Sequence, residues 1–103
     1  MSLRELLSDA AAGLPDVEAG TRPGGEVTWS HAGRPFAVLS GDGKAAEFEL
    51  DAAVAAAAAR TPDVVPSGRG PGWVLFRPAA LDDHAADRVA AWLASAHLRL
   101  SRG

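Results

Sequence analysis

The stretch Val27-Thr28-Trp29-Ser30-His31-Ala32-Gly33-Arg34-Pro35-Phe36-Ala37-Val38-Leu39-Ser40-Gly41-Asp42-Gly43-Lys44-Ala45-Ala46-Glu47-Phe48-Glu49-Leu50 decides the fold. Val27, Trp29 and His31 alternate with Thr28 and Ser30, the period of a half-buried strand. Ala32-Gly33 makes a turn, and residues 34–40 read as the next strand. Gly41-Asp42-Gly43 is a hairpin signal, because Asp-Gly tolerates positive φ. In residues 45–50, Phe48 and Leu50 share one face while Glu47 and Glu49 share the other. Three consecutive strands joined by tight turns make an antiparallel meander.

The flanks supply helices. Upstream, Leu3, Leu6, Leu7, Ala10, Ala11 and Leu14 follow the i, i+3, i+4, i+7 rule and lie on one helix face. Ser2 and Glu5 form a capping box at its start, and Gly13 and Pro15 stop it. Residues 16–26 hold turn formers (Gly20, Pro23, Gly24, Gly25) and leave room for a short strand around Glu18 to Thr21. Downstream, Asp51 reads as the cap of a short Ala-rich helix to Arg60, ended by Thr61-Pro62. Residues 61–72, with three prolines and three glycines, read as a loop. Residues 73–77 read as the last strand. Asp82 or Asp83 caps a final helix to about Leu100, with Ala85, Val89, Trp92, Leu93, Ala96 and Leu100 facing inward. The expected fold is therefore α+β, one domain over residues 1–103. It is a two-layer sandwich of an antiparallel sheet of four or five strands, with both terminal helices on one face. The other sheet face is left either solvated or free to bind.

Composition narrows the function. The chain has 103 residues, no cysteine, and ten Lys/Arg against thirteen Asp/Glu. That length suits a single domain with its own core. The lack of cysteine excludes disulfides, thiolate metal sites and a cysteine nucleophile. No apolar run approaches the roughly 18 residues of a bilayer span, and the first residues lack a signal-peptide layout, so the sequence reads as cytoplasmic. The acids concentrate in residues 1–51 and the arginines in residues 52–103; Lys44 is the only lysine. Arg suits planar recognition of phosphate or carboxylate.

Catalytic and metal signals are weak. No phosphate loop, dinucleotide fingerprint, nucleophile elbow or zinc-protease motif occurs. Asp83 and Asp87 flank His84 on the last helix, but acids there complement the helix dipole. His97 lies about 220° around the helix from His84, so the two share no ligand face. Ser30, Ser40 and Ser95 have no base beside them. Neither catalytic nor metal residues are assigned, and no cofactor is expected. The aromatics read as core first, with one of Trp73 and Phe76 left to line the open face.

The pattern as a whole resembles the MmcQ/YjbR family of small bacterial proteins. The resemblance rests on Leu14-Pro15-Asp16-Val17-Glu18 after an amphipathic helix and on Pro23-Gly24-Gly25-Glu26-Val27-Thr28-Trp29. It continues in Gly33-Arg34-Pro35-Phe36-Ala37-Val38-Leu39, in Phe48-Glu49-Leu50-Asp51, in Pro66 before Gly72-Trp73-Val74, and in Ser95 on the last helix. It implies a fold similar to frataxin and its bacterial relatives (CyaY-like), and a non-enzymatic, DNA-binding role. The chain departs from the family at Glu49, where a lysine is usual, and at Ala96, where a tyrosine is. Under that role Arg34, Arg69, Arg77, Arg88 and Arg99 are the expected contacts to double-stranded DNA. The alternative is a small-molecule or partner-protein site on the open sheet face at Trp29, His31, Phe36 and Trp73. The first reading requires the five arginines to gather on one surface.

Overall fold

The computed structural model describes residues 2–102. The elements run α1 (Leu3–Ala12), β1 (Val17–Thr21), β2 (Val27–His31), β3 (Arg34–Leu39), β4 (Ala46–Glu49), α2 (Ala52–Ala58), β5 (Val64–Pro66), β6 (Trp73–Phe76) and α3 (Asp83–Arg102). The sheet is antiparallel throughout, in the order β1-β2-β3-β4-β6-β5. The α+β two-layer sandwich is as expected, with α1 and α3 packed together on one face. It has six strands rather than four or five. The extra one is β5, from the stretch that read as loop. Three residues are too short to show a period, and β5 exists because Val64, Val65 and Pro66 pair with Phe76, Leu75 and Val74.

Register sorts the two faces. Val27, Leu39, Ala46, Phe76 and Val64 form one row across the sheet, and Trp29, Ala37, Phe48 and Val74 the next. These rows are buried under the helices. Trp92 of α3 meets Phe48 and Phe76 there, with ring centroids 6.1 and 5.2 Å apart. Burying each such side chain contributes roughly 1.5–3 kcal/mol. Between the two rows, Thr28, Val38, Glu47, Leu75 and Val65 line the face without helices. One irregularity matters. Pairing steps from Trp29–Ala37 to Ser30–Pro35 and skips Phe36. This bulge turns Phe36 toward α3, where its ring meets His97 at 5.7 Å.

The ends of the elements mostly follow the sequence. Ser2 Oγ accepts from Glu5 N–H at 3.1 Å, and Glu5 Oε1 accepts from Ser2 N–H at 3.0 Å, which completes the capping box. Asp82 Oδ1 accepts from Ala85 N–H at 3.0 Å and opens α3. Asp51 is a correction: its side chain makes no capping bond on α2. Arg99 and Arg102 of α3 draw it away, at 3.4 and 3.1 Å. The expected third strand also stops early, because Leu50 N–H donates to the Gly72 carbonyl at 2.8 Å.

Two backbone positions restrict which residue can stand there. The β2–β3 turn holds Ala32 at φ 51° and Gly33 at φ 79°, a two-residue turn with positive φ at both positions. Alanine there carries a left-handed penalty of about 1 kcal/mol. Gly72 has φ +82°, and a Cβ on it would stand 2.5 Å from the Leu50 carbonyl oxygen. We expect Ala32→Asn to raise stability by about 0.5–1 kcal/mol and Gly72→Ala to lower it by roughly 2–3 kcal/mol. Urea unfolding of the two variants beside the parent checks both signs.

Candidate functional site

The uncovered sheet face is laced with charge. In β4, Phe48 points under the helices, so Glu47 turns to the opposite face. Arg69, on the loop between β5 and β6, reaches over this face. Its Nε donates to Glu47 Oε2, and its Nη2 donates to Glu26 Oε2 at 3.0 Å. Ser67 Oγ donates to Glu47 Oε1 at 3.2 Å and accepts from Arg69 N–H at 3.3 Å. The hydrogen bond that Arg69 donates to the Glu47 carboxylate holds its guanidinium above its usual value. Its carbon sits 5.8 Å from the centre of the Trp73 ring, within cation–π range. Arg22 joins the same group through Glu26 at 3.7 Å.

Two grooves flank these groups. One, of about 310 Å³, is lined by Arg22, Arg34, Pro35, Val38, Glu49, Arg69 and Trp73. The other, of about 470 Å³, is lined by His31, Ala32, Arg34, Arg99 and Leu100. Arg34 lines both. Glu49 holds the two guanidiniums nearby, with Arg34 Nη2 at 3.7 Å and Arg99 Nη1 at 3.2 Å. A larger depression of about 550 Å³ lies between Leu3, Lys44 and residues 77–81. It is mostly apolar, and among the described residues Lys44 and Arg77 are its only charged ones.

The five candidate arginines therefore divide. Arg34 and Arg69 share one groove, and Arg34 and Arg99 the other. Arg77 lies 3.7 Å from Asp42 of the β3–β4 hairpin and shares a small groove of about 90 Å³ with Arg69, Glu26 and Glu47 on the uncovered face. Arg88 stays on α3, its Nε buried without a hydrogen-bond partner among the described residues. The four pocket candidates divide too. Trp73 lines the smaller groove and His31 the larger. Trp29 and Phe36, 3% and 0% exposed, are corrections. Trp29 belongs to the row under the helices, and the bulge turns Phe36 into the core. His31 Nδ1–H donates to the Asp16 carbonyl at 3.2 Å, and its ring stands 5.0 Å from that of His97. Among the described residues, no three His, Asp or Glu side chains converge as metal ligands.

Sequence reasoning missed Arg22, Glu26 and Glu47, and it read Glu49 only as a lost positive charge. The alternation in β4 did place Glu47 and Glu49 on the face opposite Phe48. Nothing local signals Arg22 or Arg69 as their partners, since both come from irregular segments.

No family model and no curated protein matches this chain. A crystal structure of a protein from Pseudomonas syringae superposes over 93% of this chain and 96% of its own, with a TM-score of 0.65 and 10% identity. That likeness shows the shared fold. No helix among the described residues is long and apolar enough to cross a membrane.

The hairpin that holds Arg77 is set by Asp42. Ser40 Oγ donates to its carboxylate at 2.5 Å and Lys44 N–H at 2.9 Å. The Ser40 bond, then the Lys44 bond, holds Asp42 below the usual carboxylate range. A lowered carboxyl contributes stability above its unfolded value of about 4 and loses it as pH falls through the native value. Ser40→Ala should move the Asp42 titration upward and shrink that acid-side loss. Carbon-detected NMR of the Asp42 carboxyl reads the shift directly, and an unmoved titration would assign the effect elsewhere.

Proposed function

We propose that this chain works as a binding module for a small, planar, anionic molecule on the uncovered sheet face. The observation that carries the reading is the groove at Trp73. It sets an indole beside Pro35 and Val38 among three guanidiniums and the Glu49 carboxylate that pairs with one of them. Concave apolar ground with a few convergent polar groups is the usual form of a small-ligand site. Carboxylates hold the guanidiniums in place before any ligand arrives, which limits the ordering cost of binding.

The arginine-to-DNA reading draws less support. On this face Arg22, Arg34, Arg69 and Arg77 stand against Glu26, Glu49, Glu47 and Asp42. A phosphate backbone is gripped by positive charge in excess. The order of helices and strands agrees with what the MmcQ/YjbR resemblance implies, and it supports a proposal that the chain is a divergent protein of that type. Fold alone does not carry function with it.

The test follows the Trp73 indole N–H signal by NMR while 1-naphthoate is added. Trp29 and Trp92 are buried, so their signals serve as internal controls. We expect a saturable shift at Trp73 alone, weakened about tenfold or more by Arg69→Gln, equivalent to about 1.4 kcal/mol. In a parallel arm, a fluorescein-labelled duplex is titrated at about 50 and 200 mM salt. Tight binding that falls steeply with salt and is lost in Arg34→Gln would move the function to nucleic acid. Silence in both arms would remove this face as the site.

A further inference from the structure

Where the C-terminal end of α3 meets the sheet, three arginines share two carboxylates. Arg34 and Arg99 hold Glu49, while Arg99 and Arg102 hold Asp51. One positive charge is left over within this group. The carboxylate and the cations are also unequally placed. The Glu49 side chain is 12% exposed and that of Arg34 is 61% exposed. A guanidinium carries five N–H donors in a planar fork, so donors remain for a further acceptor. Among the described residues, the groove of about 470 Å³ onto which Arg34 and Arg99 open has no carboxylate in its lining; His31, Ala32 and Leu100 complete it.

The histidine is oriented. Its Nδ1–H is committed to the Asp16 carbonyl, which leaves Nε2 as the atom that takes up a proton. The groups around the ring come from every neighbouring element. Arg34 lies opposite in the β2–β3 register, and Val17 opposite on β1. Arg99 and His97 come from α3, and the loop after α1 offers the Asp16 carbonyl. His97 Nε2–H is itself bound to the Pro15 carbonyl at 2.8 Å.

We infer that this groove is an oxyanion subsite, taking a sulfate, phosphate or carboxylate group, either free or carried on a small organic molecule. Two guanidinium forks converge on it, the geometry that binds oxyanions through paired N–H donors. The shared Arg34 lets an oxyanion carried on an aromatic ring reach toward Trp73, but the subsite stands without the Trp73 groove.

Sulfate is the probe, because its charge is constant around neutral pH. Isotope-labelled protein is titrated with sodium sulfate at fixed ionic strength, and the His31 ring and the Arg34 and Arg99 Nε–H signals are followed. We expect saturable shifts at these groups. Ala32→Asp keeps a residue that tolerates the positive φ and places a carboxylate in the groove. It should weaken sulfate about tenfold or more with the rest of the spectrum intact. Arg99→Gln should do the same, and Trp73→Leu should not, which separates this subsite from the Trp73 reading. Naphthalene-2-sulfonate distinguishes the sources. Tighter binding with a Trp73 shift marks a carried oxyanion, and sulfate-like affinity without that shift marks a free one. Shifts that do not saturate, that survive both Ala32→Asp and Arg99→Gln, or that fall on Arg69 and Trp73 alone would overturn the inference.

Discussion

Trp92 is the contact that joins the two layers. Its ring meets Phe76 of β6 edge-on and Phe48 of β4 at a tilt, two neighbouring strands whose pairing brings those rings side by side. The helix can therefore lie in only one register along the sheet. A helix rises 1.5 Å per residue, so anchoring Trp92 places His97 and Arg99 roughly 7 and 10 Å further along. At that distance His97 meets Phe36 and Arg99 meets Glu49. The larger groove, which takes Arg99 and Leu100 from α3, depends on an aromatic contact that it does not contain.

The ion pairs at the end of α3 act on position more than on stability. Exposed pairs contribute about 0–1 kcal/mol each, small beside the core rows. They do fix where the guanidiniums point. Glu49 sits deepest among them and holds Arg34 from β3 and Arg99 from α3 with its two oxygens. A residue that read as a lost positive charge is thus the fixed point around which the positive groups are arranged.

Much of the architecture was legible because it rests on periodicity. Both long helices declare one apolar stripe, and β2 and β4 alternate. The parts that were not legible depend on partners distant in sequence. β5 is three residues long and exists through β6. Asp51 looks like a helix cap until α3 folds back and takes its carboxylate. Trp29 and Phe36 are aromatic residues on strands, and only the register with β4 and the bulge in β3 shows that both face the helices. Of the site, the sequence offered Trp73, His31 and the arginines as separate candidates. Their meeting at Arg34 follows from tertiary contacts alone.

The bulge at Phe36 has a bearing on how this strand can change over time. Antiparallel strands obey a parity: shifting the pairing by one residue turns every later side chain to the other face. Phe36 escapes that rule because the ladder skips it, pairing Ala37 and Pro35 with successive residues of β2. The strand therefore keeps the same inward and outward pattern with Phe36 or without it. As an inserted residue it is neutral to the sheet, and its only neighbours of consequence are those inside, above all His97. Lineages of this fold can gain or lose a residue here without refolding the sheet. The change would be felt in the packing beneath the paired histidines, where the walls of the larger groove begin.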